Sequence, residues 1–431
     1  MPRQPVNPEN QPVTPIPELL SPAGSLRAMR LAFAYGADAV YAGLPRMSLR
    51  VRNNSFDPPA LAQGISEAHA LGKRFYLVTN IAPHNNKVRT LMKHLAPLVE
   101  MGPDALIVSD PGVIWLVREQ FPDVPLHLSV QANTVNWAAV KFWQAQGIER
   151  IILSRELAVE EIAEIRAEVP DMELEVFVHG ALCMAYSGRC MLSGYFNHRD
   201  PNQGACTNAC RWQYEAKPAR EDEVGQWQPV LIEDRSRPGE LMPMDEDEHG
   251  SYILNSKDLR AVEYVAELAR IGVHSLKIEG RTKSPYYVAR TAQVYRRAID
   301  DAVAGRPFDA SLFDELEGLA NRGYTAGLLD RHARPEKLQN IERAHGQGRQ
   351  QWVAEPVAEQ GGWTEVDAKN GFTVGDRLTL LTPAGNHTFT LTALRDKTGQ
   401  PIERAPGSGH RVQLQLPVAC EPGTSLLVRE L

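Results

Sequence analysis

The chain has 431 residues, 43% of them hydrophobic and 23% charged, with a formal net charge of −7. That is enough apolar material for the cores of two or three domains, which excludes a disordered chain, and the acidic balance excludes a protein that coats nucleic acid by bulk charge. No run approaches the roughly 20 apolar residues a membrane helix needs, and the polar, proline-rich stretch from Met1 to Pro17 reads as a disordered tail without a signal peptide, so a cytoplasmic, non-membrane protein is expected.

From Glu18 onward, short β-rich apolar runs alternate with amphipathic stretches of helical period. The predicted strands are Glu18 to Ala23, Ala39 to Leu44, Arg74 to Ile81, Ala105 to Asp110, Leu126 to Ala132, Arg150 to Leu157, Leu174 to Gly180 and Ser275 to Glu279. Helices are predicted at Ser25 to Tyr35, Pro58 to Leu71, Lys87 to Met101, Pro111 to Gln120, Trp137 to Gln146, Val159 to Glu168, Leu259 to Ile271 and Pro285 to Ala304. This alternation is that of an α/β protein, a (β/α)8 TIM-like barrel over residues 18–334. Three helix-to-strand joints place a glycine at the end of the helix, namely Gly36, Gly102 and Gly272, as a left-handed cap requires. No glycine fingerprint for a dinucleotide or a P-loop follows the first strand, which argues against nicotinamide or nucleoside-triphosphate chemistry.

The alternation breaks after the seventh strand, where a cysteine-containing loop leads into an acidic insertion over 211–250. Loops at this end of a barrel carry its chemistry, so the insertion is placed to act as a lid or substrate platform. A polar linker, 335–350, then leads to 351–431, where short β-like runs separated by turn signals such as Lys369-Asn-Gly371 predict a small C-terminal β-barrel domain.

Five cysteines occur, and four of them are Cys183, Cys190, Cys206 and Cys210. The spacing lacks the close Cys-x2-Cys pairs favoured by structural zinc, whereas a cubane iron-sulfur cluster accepts thiolates from separate turns. Iron-sulfur is the preferred reading of this metal-ligand set, with zinc and plain buried thiols as the alternatives. Cys420 stands apart as an ordinary thiol.

Glu175, Phe177 and His179 alternate onto one face of strand seven, so Glu175 is expected to orient His179 toward cluster or substrate, against the plainer reading of a hydrogen-bonded structural histidine. Lys277 and Glu279 likewise share a face, with Arg281 just beyond, either as an internal Lys-Glu pair or as an anion site. These four, His179, Glu175, Lys277 and Glu279, are the candidate catalytic residues. Ser129, Gln131 and Asn133 at the end of strand five are read as aligned amides and hydroxyl for a base edge or carboxyl group, or as loop caps. Three basic groups, Arg46 with Arg50 and Arg52, Lys87 with Arg89 and Lys93, and Lys277 with Arg281 and Lys283, are either localised basic faces or solvated charges.

The stretch Glu175-Val-Phe-Val-His-Gly-Ala-Leu-Cys-Met-Ala-Tyr-Ser-Gly-Arg-Cys-Met-Leu-Ser193 resembles the signature of the collagenase-like peptidase family U32. Glu18-Leu-Leu-Ser-Pro-Ala-Gly24, Gly36-Ala-Asp-Ala-Val-Tyr-Ala-Gly43, Ser275-Leu-Lys-Ile-Glu-Gly-Arg281 and Asn321-Arg-Gly-Tyr-Thr-Ala-Gly327 extend the resemblance along the barrel, and the β-rich tail resembles the family's C-terminal domain. Within the family, Tyr41-Ala-Gly-Leu-Pro-Arg-Met-Ser-Leu-Arg-Val-Arg-Asn-Asn54 and Ile81-Ala-Pro-His-Asn85 are most similar to a tRNA-hydroxylating subfamily. That resemblance implies prephenate-dependent formation of 5-hydroxyuridine at the tRNA wobble position, with a 4Fe-4S cluster on the four cysteines. It leaves open a family hydroxylase acting on ribosomal RNA or ubiquinone precursors, and a peptidase. No Ser-His-Asp arrangement or His-Glu-x-x-His site supports the peptidase reading. Prephenate carries two carboxylates, which suit guanidinium forks, so Arg50, Arg52, Arg155 and Arg281 join Gln131 as candidate substrate-binding residues. Tyr186 and Trp212 flank the cysteines and are candidates for stacking on a nucleobase.

Overall fold

The computed structural model describes residues 16–45, 47–48, 55–182, 257–330 and 348–431, together with the strand segments 214–217, 230–234, 241–244, 246–247 and 250–251. Eight parallel strands form a closed ring: β1 (Glu18–Pro22), β2 (Ala39–Ala42), β3 (Arg74–Val78), β4 (Ala105–Val108), β5 (Leu126–Leu128), β6 (Arg150–Ile152), β7 (Glu173–Ala181) and β8 (Ser275–Ile278). Closure comes from β8, which pairs with β7 at Ser275↔Glu175 and with β1 at Glu18↔Ser275.

Eight helices cover the ring: α1 (Leu26–Ala34), α2 (Pro58–Ala70), α3 (Asn85–Val99), α4 (Pro111–Gln120), α5 (Trp137–Ala145), α6 (Val159–Glu168), α7 (Val265–Ile271) and α8 (Pro285–Val303). Their starts are written in the chain. Ser25, Asp57, Asp110, Asn136 and Ser284 each accept a backbone N–H from the first turn, and proline opens α2, α4 and α8. Gly36, Gly102 and Gly272 adopt the positive φ expected at their joints, at 103°, 74° and 88°. Among the described residues no helix is long and apolar enough to cross a membrane.

Several predicted elements differ from the structure; strand six, predicted to run to Leu157, ends at Ile152. The segment predicted as one helix from Leu259 to Ile271 begins instead as a short strand, Asp258–Arg260, and becomes α7 only after a 3-10 turn at Val262–Tyr264. The cause lies in β7, whose nine residues overrun its neighbours. Asp258–Arg260 lies antiparallel along this overhang, Leu259 opposite Gly180, and satisfies a backbone edge that would otherwise be buried unpaired. Strand five is also shorter than predicted. After Leu128 the chain enters a 3-10 turn at Val130–Ala132 and Asn133 turns left-handed with φ 51°, so Ser129, Gln131 and Asn133 do not alternate as strand residues.

In the insertion after β7, Tyr214–Lys217, Val230–Asp234 and Leu241–Met244 form a three-stranded antiparallel sheet. The C-terminal domain is a separate antiparallel sheet of seven strands with its own core around Val353, Phe372, Leu380 and Leu427. Its strands Gln350–Gln360 and Leu426–Glu430 are central, and Leu381, Leu426 and Val428 pack into the barrel's hydrophobic cluster. Gln293 of α8 donates to the Thr382 carbonyl oxygen and Arg27 pairs with Glu355 at 2.8 Å, fastening sheet to barrel.

Candidate active site at the barrel mouth

The barrel interior carries charge. Interior positions of a (β/α)8 ring are filled by side chains in layers, most often branched apolar ones. Here Glu18, Tyr76, Arg150, Glu175, Ser275 and Lys277 come together instead. Tyr76 Oη donates to Glu18 at 2.6 Å, and Arg150 reaches Glu18 at 2.6 Å and Glu175 at 3.4 Å. Lys277 Nζ closes the chain on Glu175 at 2.7 Å. Glu175 is 0% exposed, Arg150 2% and Lys277 3%, so each charge depends on its neighbours for compensation. Burial pulls the Lys277 pKa below that of an ordinary lysine, and Glu175 opposes the shift. His127, edge-on to the Tyr76 ring, is pushed well below the usual histidine range by burial and by Arg150 and Lys277.

Toward the C-terminal ends of the strands the chain of charges meets aromatic rings and two arginines. The Lys277 ammonium lies 4.1 Å from the Tyr41 ring centre, and the Arg281 guanidinium 5.8 Å from the same ring. Arg155 lies over Phe177 at 3.7 Å, and Lys277 is 5.7 Å from that ring. Three cations are thus gathered around two rings. Tyr41 donates its hydroxyl to the Ile278 carbonyl oxygen at 2.9 Å, which fixes the ring. Gly180 is required here: its φ is 117°, and a Cβ would lie 2.6 Å from the Glu279 carbonyl oxygen.

The sequence-predicted residues divide as follows. Lys277 does form an internal ion pair, but with Glu175 and not Glu279, which lies past the end of β8 and is half-buried. Glu175 does not orient His179. The β7–β8 register shifts so that Lys277 lies opposite Phe177 and Ile278 opposite His179, which breaks the two-residue period and takes His179 off the Glu175 face. His179 is instead enclosed by the rings of Tyr287, Tyr295 and Tyr324 and lies 3.3 Å from Tyr295 Oη. Burial lowers its pKa to about 3, and the Lys283 and Arg260 cations add to the effect.

Gln131 donates to the Asn80 carbonyl oxygen at 2.9 Å and accepts from Ser129 at 3.0 Å; its amide ties the loops after β3 and β5 together. Arg155 and Arg281 are at the mouth. Arg50, Arg52, Cys183, Cys190, Cys206 and Cys210 lie outside the described residues, and the described chain leaves β7 at Leu182, one position before the first cysteine. Among the described residues no three His, Cys, Asp or Glu side chains are grouped to hold a metal ion. Sequence reading missed Glu18, Tyr41, Tyr76 and Arg150. The available signal was a charged residue opening each of the otherwise apolar strands β1 and β6.

Comparison with known proteins agrees with this architecture. The family model Peptidase family U32 matches residues 24–339, and Peptidase family U32 C-terminal domain matches 348–427. The tRNA hydroxylation protein P of Escherichia coli (strain K12) is 59% identical, covering 96% of each chain, and that of Haemophilus influenzae is 55% identical with the same coverage. A 23S rRNA 5-hydroxycytidine synthase of Escherichia coli is 33% identical, covering 67% of this chain and 40% of its own. With both family models matched in order and near-complete relatives at this identity, the chain belongs to peptidase family U32.

Proposed function

We propose that this chain is a cytoplasmic tRNA hydroxylase that converts wobble uridine to 5-hydroxyuridine, with prephenate as co-substrate. The observation that carries the reading is 59% identity over 96% of both chains to a protein named for tRNA hydroxylation. A 33% identical relative named for hydroxycytidine synthesis in ribosomal RNA supports the broader class of RNA hydroxylation. The mouth geometry supports an anionic co-substrate, because Lys277, Arg155 and Arg281 concentrate positive charge beside Tyr41 and Phe177, a lining suited to a dicarboxylate with an unsaturated ring.

Cys183, Cys190, Cys206 and Cys210 are the proposed ligands of a 4Fe-4S cluster, since four thiolates are the donor set such a cluster takes. When bound, the cluster supplies iron capable of one-electron transfer. The family's peptidase label gains little from the described geometry: His179 bonds a tyrosine and is surrounded by tyrosine rings, which is no environment for activating a nucleophile.

The test is mass spectrometry of tRNA nucleosides from a strain lacking the gene, complemented with this chain. Restored 5-hydroxyuridine derivatives, dependent on prephenate supply, are expected. Unchanged nucleosides in the deletion strain would refute the reading. Iron and sulfide content of anaerobically purified protein, with and without Cys183→Ser, tests the ligand set separately.

A further inference from the structure

We propose that the outer face of α3, with exposed tryptophans on the next two helices, is where RNA docks. The inference rests on the RNA-hydroxylase reading and assigns the surface that positions the nucleic acid.

In a chain of net charge −7, no Asp or Glu occurs between Glu67 and Glu100. Within that span α3 turns Leu91, Leu95 and Leu98 into the core and presents Arg89, Thr90, Lys93 and His94 to solvent, with Lys87 at the margin. Arginines elsewhere are largely neutralised: Arg27, Arg30, Arg260 and Arg297 each pair with a carboxylate within 3.1 Å. Lys87, Arg89 and Lys93 form no ion pair among the described residues. Arg89 and Lys93, four residues apart on the exposed face, with Lys87 in the first turn, suit a phosphate backbone, where each contact also releases counterions.

The location fits. Asn80, in the loop between β3 and α3, is bonded to Ser109, Ser129 and Gln131 at the ends of β4 and β5, so α3 starts from the mouth. The following helices carry exposed aromatic rings, one of them at the helix start that faces the rim. Trp137 is the first residue of α5 and 40% exposed, with Lys141 over its face at 4.6 Å, and Trp115 in α4 is 61% exposed. Unstacked bases of a single-stranded loop pack on such rings, while a neighbouring duplex stem is gripped through its phosphates. Phosphate contacts on α3 would then hold the stem while the loop base reaches the mouth.

The test uses the full-length, cofactor-loaded protein and unmodified tRNA. In the variant Lys87→Gln/Arg89→Gln/Lys93→Gln, tRNA binding at about 0.15 M salt is expected to weaken about tenfold or more, and the slope of log affinity against log salt to fall by about 3. Turnover at saturating tRNA and the KM for prephenate should be unchanged. Trp115→Ala/Trp137→Ala should weaken binding without changing the salt slope, because stacking releases few counterions. Arg377→Gln/Lys397→Gln/Arg404→Gln, all exposed on the C-terminal sheet, should bind as wild type.

An α3 variant within twofold of wild type overturns the proposal, as does an equal loss in the C-terminal variant. Loss of binding to phosphatidylglycerol vesicles with tRNA binding intact overturns it in favour of a membrane surface. Wild-type protein that hydroxylates tRNA while the α3 variant is unaffected sinks this inference alone; wild-type protein inactive on tRNA sinks the functional reading.

Discussion

Glu175→Gln is the sharpest probe of the charged interior. Glu175 is wholly buried and accepts from Lys277 at 2.7 Å and from Arg150 at 3.4 Å. Glutamine keeps the shape and one acceptor oxygen but removes the negative charge, leaving Lys277 with no carboxylate within ion-pair distance among the described residues. Breaking one side of a buried pair costs about 3–5 kcal/mol, and the retained acceptor places this change toward the lower end. At the roughly 2 °C per kcal/mol that applies to large domains, the midpoint of thermal unfolding should fall by about 6–8 °C. Glu175→Gln/Lys277→Met removes both charges and should recover more than half of that loss, because a well-packed neutral pair can replace an ion pair at little cost. Scanning calorimetry of the four proteins in this cycle gives the coupling. A single-variant shift under about 2 °C, with coupling below about 0.5 kcal/mol, would refute the interdependence of these charges.

The same double variant should stay folded yet show a raised KM for prephenate in a hydroxylation assay, since the cation has gone from the mouth; an unchanged KM counts against Lys277 as part of the anion site. For His179, burial lowers the pKa from about 6.5 to about 3. Between those values the unfolded chain binds a proton that the folded one does not. Its contribution is therefore complete above about pH 6.5 and is lost as pH falls toward about 3, by up to about 1.4 kcal/mol per pH unit. His127 titrates in the same direction, so the measurement is the difference in urea midpoints between wild type and His179→Phe across that window, and parallel pH profiles would contradict the assignment. Gly180→Ala should destabilise more than Gly72→Ala, by at least about 1 kcal/mol. Both positions have positive φ, but a Cβ at Gly180 meets the Glu279 carbonyl at 2.6 Å and one at Gly72 meets nothing within 4 Å; equal denaturation midpoints would show that the mouth relaxes freely.

Local signals in the sequence carried the barrel. Period-2 and period-3.6 patterns depend on neighbouring residues, and the glycines at 36, 102 and 272 need positive φ whatever surrounds them. The errors arose where distant chain decides. His179 left the predicted face because a register shift against β8, about 100 positions later, interrupts the alternation of β7. Asp258–Arg260 is a strand because β7 overhangs its neighbours, and nothing local to Leu259 encodes that edge. Arg150 looks like an ordinary charged strand start; only ring closure brings it to Glu18 across the interior. The cysteine spacing was legible, while the cations around Tyr41 and Phe177 were only partly so, since Lys277 and Arg281 sit together in Ser275-Leu-Lys-Ile-Glu-Gly-Arg281 and their aromatic partners come from β2 and β7.

The buried charges raise a question that stability does not answer. An apolar filling of the same volume would hold a barrel together as well or better, because desolvating Glu18, Arg150, Glu175 and Lys277 consumes most of what their mutual attraction returns. What the alternating chain does achieve is placement. Arg150 fixes Glu175 from below, Glu175 fixes the Lys277 ammonium, and the Tyr41 ring, itself anchored on the Ile278 carbonyl, confines it from the side. A cation held this way in a low-dielectric site needs no reorganisation when an anion arrives, and its attraction is far less screened than that of a surface lysine. On the proposed function, the interior network would support the carboxylate site. Its inner members orient the charge, and Arg155 and Arg281 extend it to the mouth.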